Sequence, residues 1–213
     1  MFFIFDWDGT ICDSTAKIVR CMQMAAEDAN LSILDDDVIK NIIGLGLPEA
    51  IVALYPEIQA DDIKELRAAY ANHFVREDTQ PSPFFPGVME TLETLRDSGY
   101  TLAIATGKSR RGLDRVLKNV KLGSFFNATR CADETASKPN PLMLNELLAE
   151  FSVDVHDAVM VGDTEYDMAM ASEIRMRKIA VSYGAHHIDR LKKHHPIMCI
   201  DNFKEMLSVS IKL

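Results

Sequence analysis

Phe2-Phe3-Ile4-Phe5-Asp6-Trp7-Asp8-Gly9-Thr10 decides how this chain is read. Four apolar residues in a row are what a short, fully buried parallel strand looks like in a sequence. Two carboxylates one residue apart follow directly at its end. Buried carboxylates are costly unless something compensates them, and a bound divalent cation would do so. A solvated turn with Asp8-Gly9 at its corner accounts for the same residues. A calcium loop does not, because an EF-hand needs oxygen ligands and a glycine where Thr10 and Ile11 stand.

Further apolar runs of the same kind lie at residues 101–105, 158–161 and 179–181, with a weaker one at 128–132. Helical patterns fall between them, at residues 87–98, Arg110–Asn119, 141–151 and Glu165–Glu173. Strands alternating with helices predict an α/β fold, a doubly wound and mostly parallel sheet. Ligands of such sheets bind at the carboxyl ends of the strands. Residues 14–80 break the alternation. Ile18, Met22, Ala25 and Ala29 share one helical face, and Val38, Ile39, Ile42 and Ile43 form another stripe. Pro48 suits a helix first turn, and Asp61 suits the cap of a last helix carrying Ile63, Leu66, Tyr70 and Phe74. Pro81-Ser82-Pro83 and Pro86-Gly87 then return the chain to the α/β part. The expected division is a core of residues 1–13 and 81–213 with a helical insertion at 14–80. That insertion is of a size to cover a site.

The 213 residues carry 23 Lys and Arg against 32 Asp and Glu, a net charge of −9. This balance argues against broad binding of nucleic acid or an anionic membrane, but leaves room for a small anionic substrate. No apolar run approaches a membrane span, and the apolar start, interrupted by Asp6 and Asp8 and lacking a basic leader, is not read as a signal peptide. Cys12, Cys21, Cys131 and Cys199 are scattered, which predicts reduced thiols in a cytoplasmic protein.

Three more polar clusters follow strand candidates or open helices. Thr106-Gly107-Lys108-Ser109 supplies a hydroxyl and backbone N–H groups at a helix start, either an anion cradle or a plain capped helix. It is not a nucleotide P-loop, since Leu102 stands where that motif needs glycine. Ser137-Lys138-Pro139-Asn140-Pro141 holds Lys138 just outside a helix that Asn140 would cap and Pro141 would enter; an isolated surface lysine is the bland alternative. Gly162-Asp163-Thr164-Glu165-Tyr166-Asp167 delivers one carboxylate at a strand end and a second four residues on.

D-x-D-G-T, T-G, K-P and G-D-x-x-x-D in this order resemble the haloacid dehalogenase superfamily of phosphohydrolases, all four of whose motifs are present. The layout is most similar to its phosphoglycolate-phosphatase-like branch, and residues 14–80 look like that family's small α-helical cap. The resemblance implies a Rossmann-like core and a Mg²⁺-dependent phosphatase that transfers a phosphoryl group to Asp6. Asp6, the Asp8 carbonyl and Asp163 would then ligate the metal, with Asp167 fixing its shell. Asp8 would act as general acid and base, Thr106 and Gly107 would hold phosphoryl oxygens, and Lys138 would neutralise transition-state charge. The expected substrate is a small phosphorylated metabolite, phosphoglycolate-like or a sugar phosphate, handled by a monomer or homodimer. Dehalogenases and phosphonate-cleaving relatives lack the aspartate two residues after the nucleophile; Asp8 therefore favours an oxygen-linked phosphate. A phosphomutase would keep Asp8 and is the alternative. A non-catalytic module would be expected to lose one of these residues, and none is lost. One departure stands out: Glu173-Ile174-Arg175-Met176 replaces the branch's Ala-Gly helix ending, which places Arg175 at a left-handed position at a cost of about 1–2 kcal/mol. The histidines at 186, 187, 194 and 195 are read as exposed loop residues.

Overall fold

A computed structural model describes residues 1–209; the last four positions of the core span 81–213 lie outside the described residues. Phe2–Phe5 forms strand β1, entirely buried, and it sits in the middle of a six-stranded parallel sheet. Its neighbours are β2 (Thr101–Thr106) and β4 (Ala158–Gly162), with Phe2 in register with Thr101 on one side and with Ala158 on the other. Beyond them lie β3 (Ala128–Cys131) on one side, and β5 (Arg177–Val181) and β6 (Met198–Ile200) on the other, giving the order β3-β2-β1-β4-β5-β6. The chain builds outward from β1 to β3, then returns beside β1 and builds the other way. Such a reversal opens a crevice at the strands' carboxyl ends, and Asp6, Thr106 and Asp163 stand there.

The sheet is covered on both faces because strand side chains alternate. Phe3, Phe5, Leu102, Ile104, Val159 and Val161 face α5 (Val88–Asp97) and α6 (Arg110–Asn119). Phe2, Ile4, Ala103, Ala105 and Met160 face α7 (Leu142–Phe151) and α8 (Glu165–Glu173). The three-residue β6, which follows the short α9 (Ile188–Lys192), is too brief to leave a periodic signal and was not expected from the sequence.

Between β1 and α5 the chain makes four helices, α1 (Thr15–Asp28), α2 (Asp36–Lys40), α3 (Leu47–Leu54) and α4 (Ala60–Glu77). Val19, Met22, Ala25, Ile39, Ile51 and Leu66 give them an apolar centre of their own. Pro48 sits in the first turn of α3. Three local expectations need correcting. Asp61 lies inside the first turn of α4, where its charge meets the positive helix end, and Gln59 is the capping position. Val38 is exposed, because α2 is one turn long and buries only Ile39. Pro141, not Asn140, flanks α7, while the Asn140 side chain accepts from the Leu142 N–H at 3.0 Å. Arg175 does take the left-handed conformation, with φ of 58°.

Candidate active site

Asp6 leaves β1 into the crevice, 1% exposed. Its Oδ1 lies 2.6 Å from Nζ of Lys138. Its Oδ2 is buried with no hydrogen-bond partner among the described residues. Lys138 is anything but a surface lysine: it too is 1% exposed, and its ammonium also meets Asp167 Oδ1 at 2.7 Å. Burial works against the lysine's charge, yet Asp167 and Asp6 together hold its ammonium above the usual lysine range. Burial pushes the Asp6 carboxyl well above the usual carboxylate range, Lys138 opposes this, and the charges of Asp167, Asp163 and Asp8 reinforce it.

Asp163, fully buried at the end of β4, accepts from the Thr10 hydroxyl at 2.9 Å and from the Ala185 N–H at 2.7 Å. Burial and the neighbouring Asp167 still push its carboxyl up to about 7. Gly9, with φ of +80°, brings the chain back against this carboxylate so closely that a Cβ would overlap it. Asp167 is pinned from the other side by a capping box: it accepts from the Thr164 hydroxyl at 2.7 Å, while its own N–H donates to Thr164.

Asp6, Asp163 and Asp167 each present an oxygen within 4.8 Å of the others. Three sealed carboxylates face one ammonium, and one carboxylate oxygen is left unpaired. That charge excess and that all-oxygen donor set fit a hard divalent cation such as Mg²⁺.

Asp8 stands apart from this cluster. Its Oδ1 accepts from the Ser14 hydroxyl at 2.5 Å and its Oδ2 lies 2.9 Å from Nζ of Lys108. Lys108 in turn sits 4.7 Å from the ring centroid of Phe74 on α4. Asp6, Asp8, Gly107 and Lys108 line a chamber of about 530 Å³ whose remaining walls come mostly from α1, α3, α4 and the loop at residues 42–46. Gly107 must be small, because the carbonyls of Gly44 and Leu45 press against it. Thr106 is buried, and its hydroxyl accepts from the Lys108 N–H at 3.3 Å.

The structure therefore brings all seven sequence-predicted residues to one crevice, with Asp6, Asp8 and Gly107 facing the chamber and Lys138, Asp163 and Asp167 gathered around Asp6. Sequence reasoning missed the roles of Ser14, Lys108 and Phe74. Lys108 was visible inside T-G-K-S but carried no signal of its partner a hundred residues away. The histidine reading holds at His187 and His195, while His194 is half-buried and His186 is 2% exposed, accepting from the Glu165 N–H at 3.1 Å and meeting the Asn41 carbonyl at 3.2 Å. Asn41, whose backbone His186 holds, immediately precedes the stretch that enters the chamber wall.

Residues 3–181 match the model of the haloacid dehalogenase-like hydrolases. The chain belongs to that family. It is 33% identical over 213 residues to the "Probable phosphatase IndB" of Dickeya dadantii, covering 97% of this chain and 92% of that protein. It is 30% identical to the phosphoglycolate phosphatase of Aliivibrio fischeri, covering 96% and 94%. A hydrolase structure from Pseudomonas syringae superposes with a TM-score of 0.90 over 100% of this chain and 98% of that one, at 23% identity, a likeness of fold. This haloacid dehalogenase-like hydrolase has four free cysteines, and among its described residues no helix is long and apolar enough to cross a membrane.

Proposed function

We propose that the chain is a Mg²⁺-dependent phosphatase that hydrolyses a phosphomonoester metabolite through an aspartyl-phosphate on Asp6. The observation that carries this is the state of Asp6: sealed, paired on one oxygen with Lys138, unpaired on the other, and on the wall of the same chamber as Asp8. The carboxylate of Asp6 attacks phosphorus, the P–O bond to the organic group breaks, and Asp8 supplies the proton that the leaving oxygen takes. Water then attacks the phosphorus of the aspartyl-phosphate, Asp8 recovers a proton from it, and Asp6 and inorganic phosphate are released. Lys138 balances charge on Asp6 as its carboxylate is phosphorylated and then freed. In this reading the Gly107 N–H and the Thr106 hydroxyl would hold phosphoryl oxygens. Mg²⁺, held by Asp6, Asp163 and the Asp8 carbonyl with Asp167 behind them, would draw charge from the phosphoryl oxygens and reduce their repulsion of Asp6.

Residues 14–80 act in this reading as a cap over the core at 1–13 and 81–213, excluding water and contacting the organic part of the substrate. The four free thiols accord with a cytoplasmic location. The relatives' phosphoglycolate and the sugar phosphates both suit the catalytic residues.

The test is release of inorganic phosphate by the purified chain, with Mg²⁺ and with EDTA, against Asp6→Asn. Release that needs Mg²⁺ and disappears in the variant is expected. Robust steady-state release by folded Asp6→Asn would overturn the reading, and isomerisation of a sugar phosphate without release would make the chain a phosphomutase.

A further inference from the structure

We infer that the substrate's organic part is an extended apolar body, filling the chamber far beyond what a two-carbon acid occupies. This rests on the phosphatase reading and concerns only what is attached to the phosphate. The chamber of about 530 Å³ is large for such an acid and of the size of clefts that take much larger organic ligands. It is also not the product of a lifted cap. The Gly44 and Leu45 carbonyls press on Gly107, and the Gly46 N–H donates to Ser137 Oγ at 2.8 Å. On the same side, Arg190 donates to Asn41 Oδ1 at 2.7 Å and Tyr166 to the Asn41 carbonyl at 2.9 Å.

The walls are apolar where the organic part would lie, with Ile18, Met22, Ile42, Leu45, Tyr70 and Phe74 among them. Along α4 the lining runs from Phe74 through Ala71 and Ala68 to Arg67 and Lys64. Phe74 marks the catalytic end through its contact with Lys108, which is paired with Asp8. At 1.5 Å per residue, Arg67 lies about 10 Å and Lys64 about 15 Å further along the helix. The two alanines leave width between those ends.

Among the described residues the lysines at the catalytic end each have a carboxylate partner. Lys138 is taken by Asp6 and Asp167, Lys108 by Asp8, and Lys17 by Asp78. Arg67 and Lys64 enter the lining about two and three helical turns along α4 from Phe74. An apolar body instead gains at every methylene it places against these walls, by about fourfold per group when burial is complete.

The experiment compares kcat/KM of the full chain with Mg²⁺ for ethyl, butyl, hexyl and 2-phenylethyl phosphates and for phosphoglycolate. The alkyl series holds leaving-group chemistry nearly constant, so the trend reads the chamber. We expect hexyl and 2-phenylethyl phosphates to exceed ethyl phosphate and phosphoglycolate by about 10-fold or more. Ala71→Trp, which projects an indole into the chamber, should lower the hexyl-to-ethyl ratio by about 10-fold; a cooperative melting transition like that of the parent chain reports that the variant is folded. A flat series, or phosphoglycolate as the preferred substrate, overturns the inference while leaving the phosphatase reading intact. Release from none of the five overturns the phosphatase reading and this inference with it.

Discussion

The ammonium of Lys138 lies 2.6 Å from Oδ1 of Asp6 with both side chains closed to solvent, although 132 positions separate them in the chain. Strand β1 delivers the acid and the segment before α7 delivers the base. Neither charge would be tolerable there alone.

Lys138→Ala should therefore lower stability as well as activity. Deleting one partner leaves buried carboxylates uncompensated, a loss of about 3–5 kcal/mol. For a chain of this size that is a fall in melting temperature of roughly 10 °C, where a surface lysine would cost no more than about 0.5 kcal/mol. Turnover should fall by about 10²-fold or more in kcat/KM, as loss of a charged transition-state contact does. Unchanged melting with unchanged kinetics would remove Lys138 from the site.

The raised carboxyl of Asp163 gives the metal-free protein a definite pH signature. Its folded value of about 7 lies above the ordinary aspartate value of about 3.9. Between these limits the folded chain keeps a proton that the unfolded chain has lost, so this group's contribution to stability declines as pH rises through the window. In EDTA the melting temperature should carry that decline, and Asp163→Asn should flatten it. Mg²⁺ needs the deprotonated form, so its stabilisation should be greater near pH 8 than near pH 5.5. Equal Mg²⁺-induced shifts at the two pH values would contradict the assignment of Asp163 as a ligand.

Asp8, held between Ser14 and Lys108, should be felt most when the leaving group is poor. Asp8→Ala is expected to slow phosphoryl transfer from alkyl phosphates by about 10²–10⁴-fold, and from nitrophenyl phosphate much less, since that phenolate leaves without a proton. Single-turnover kinetics isolate the first step from the hydrolysis that follows. Equal losses on both substrates would remove the acid role.

Arg175 closes α8 in a left-handed conformation, its N–H donating to the Ser172 carbonyl and that of Met176 to Ala171. This is the hydrogen-bond pattern of a Schellman ending, whose strained position suits glycine. Arg175→Gly should stabilise the protein by about 1 kcal/mol, read as a melting temperature higher by roughly 2–4 °C, with kcat/KM unchanged. A lower melting temperature would show that the arginine side chain contributes more than its backbone costs.

The central strands, the order of the four polar clusters and the helical character of residues 14–80 were legible in the chain itself, because burial and periodicity are local. Phe2–Phe5 is apolar throughout since both sheet faces are covered, and Gly162-Asp163 follows an equally buried run. Tertiary structure decided the rest. Only the sheet order sets β1 beside β4 and so brings Asp6 and Asp163 together. Only the packing of α4 on the core sets Phe74 over Lys108 and opens the apolar chamber beside Asp8. His186 and Lys138 read as solvent-facing residues on their own, since the fitness of a polar side chain for burial depends on partners that sequence neighbours do not reveal. For these residues the partners are Asn41, Asp6 and Asp167, and folding supplies them from elsewhere in the chain.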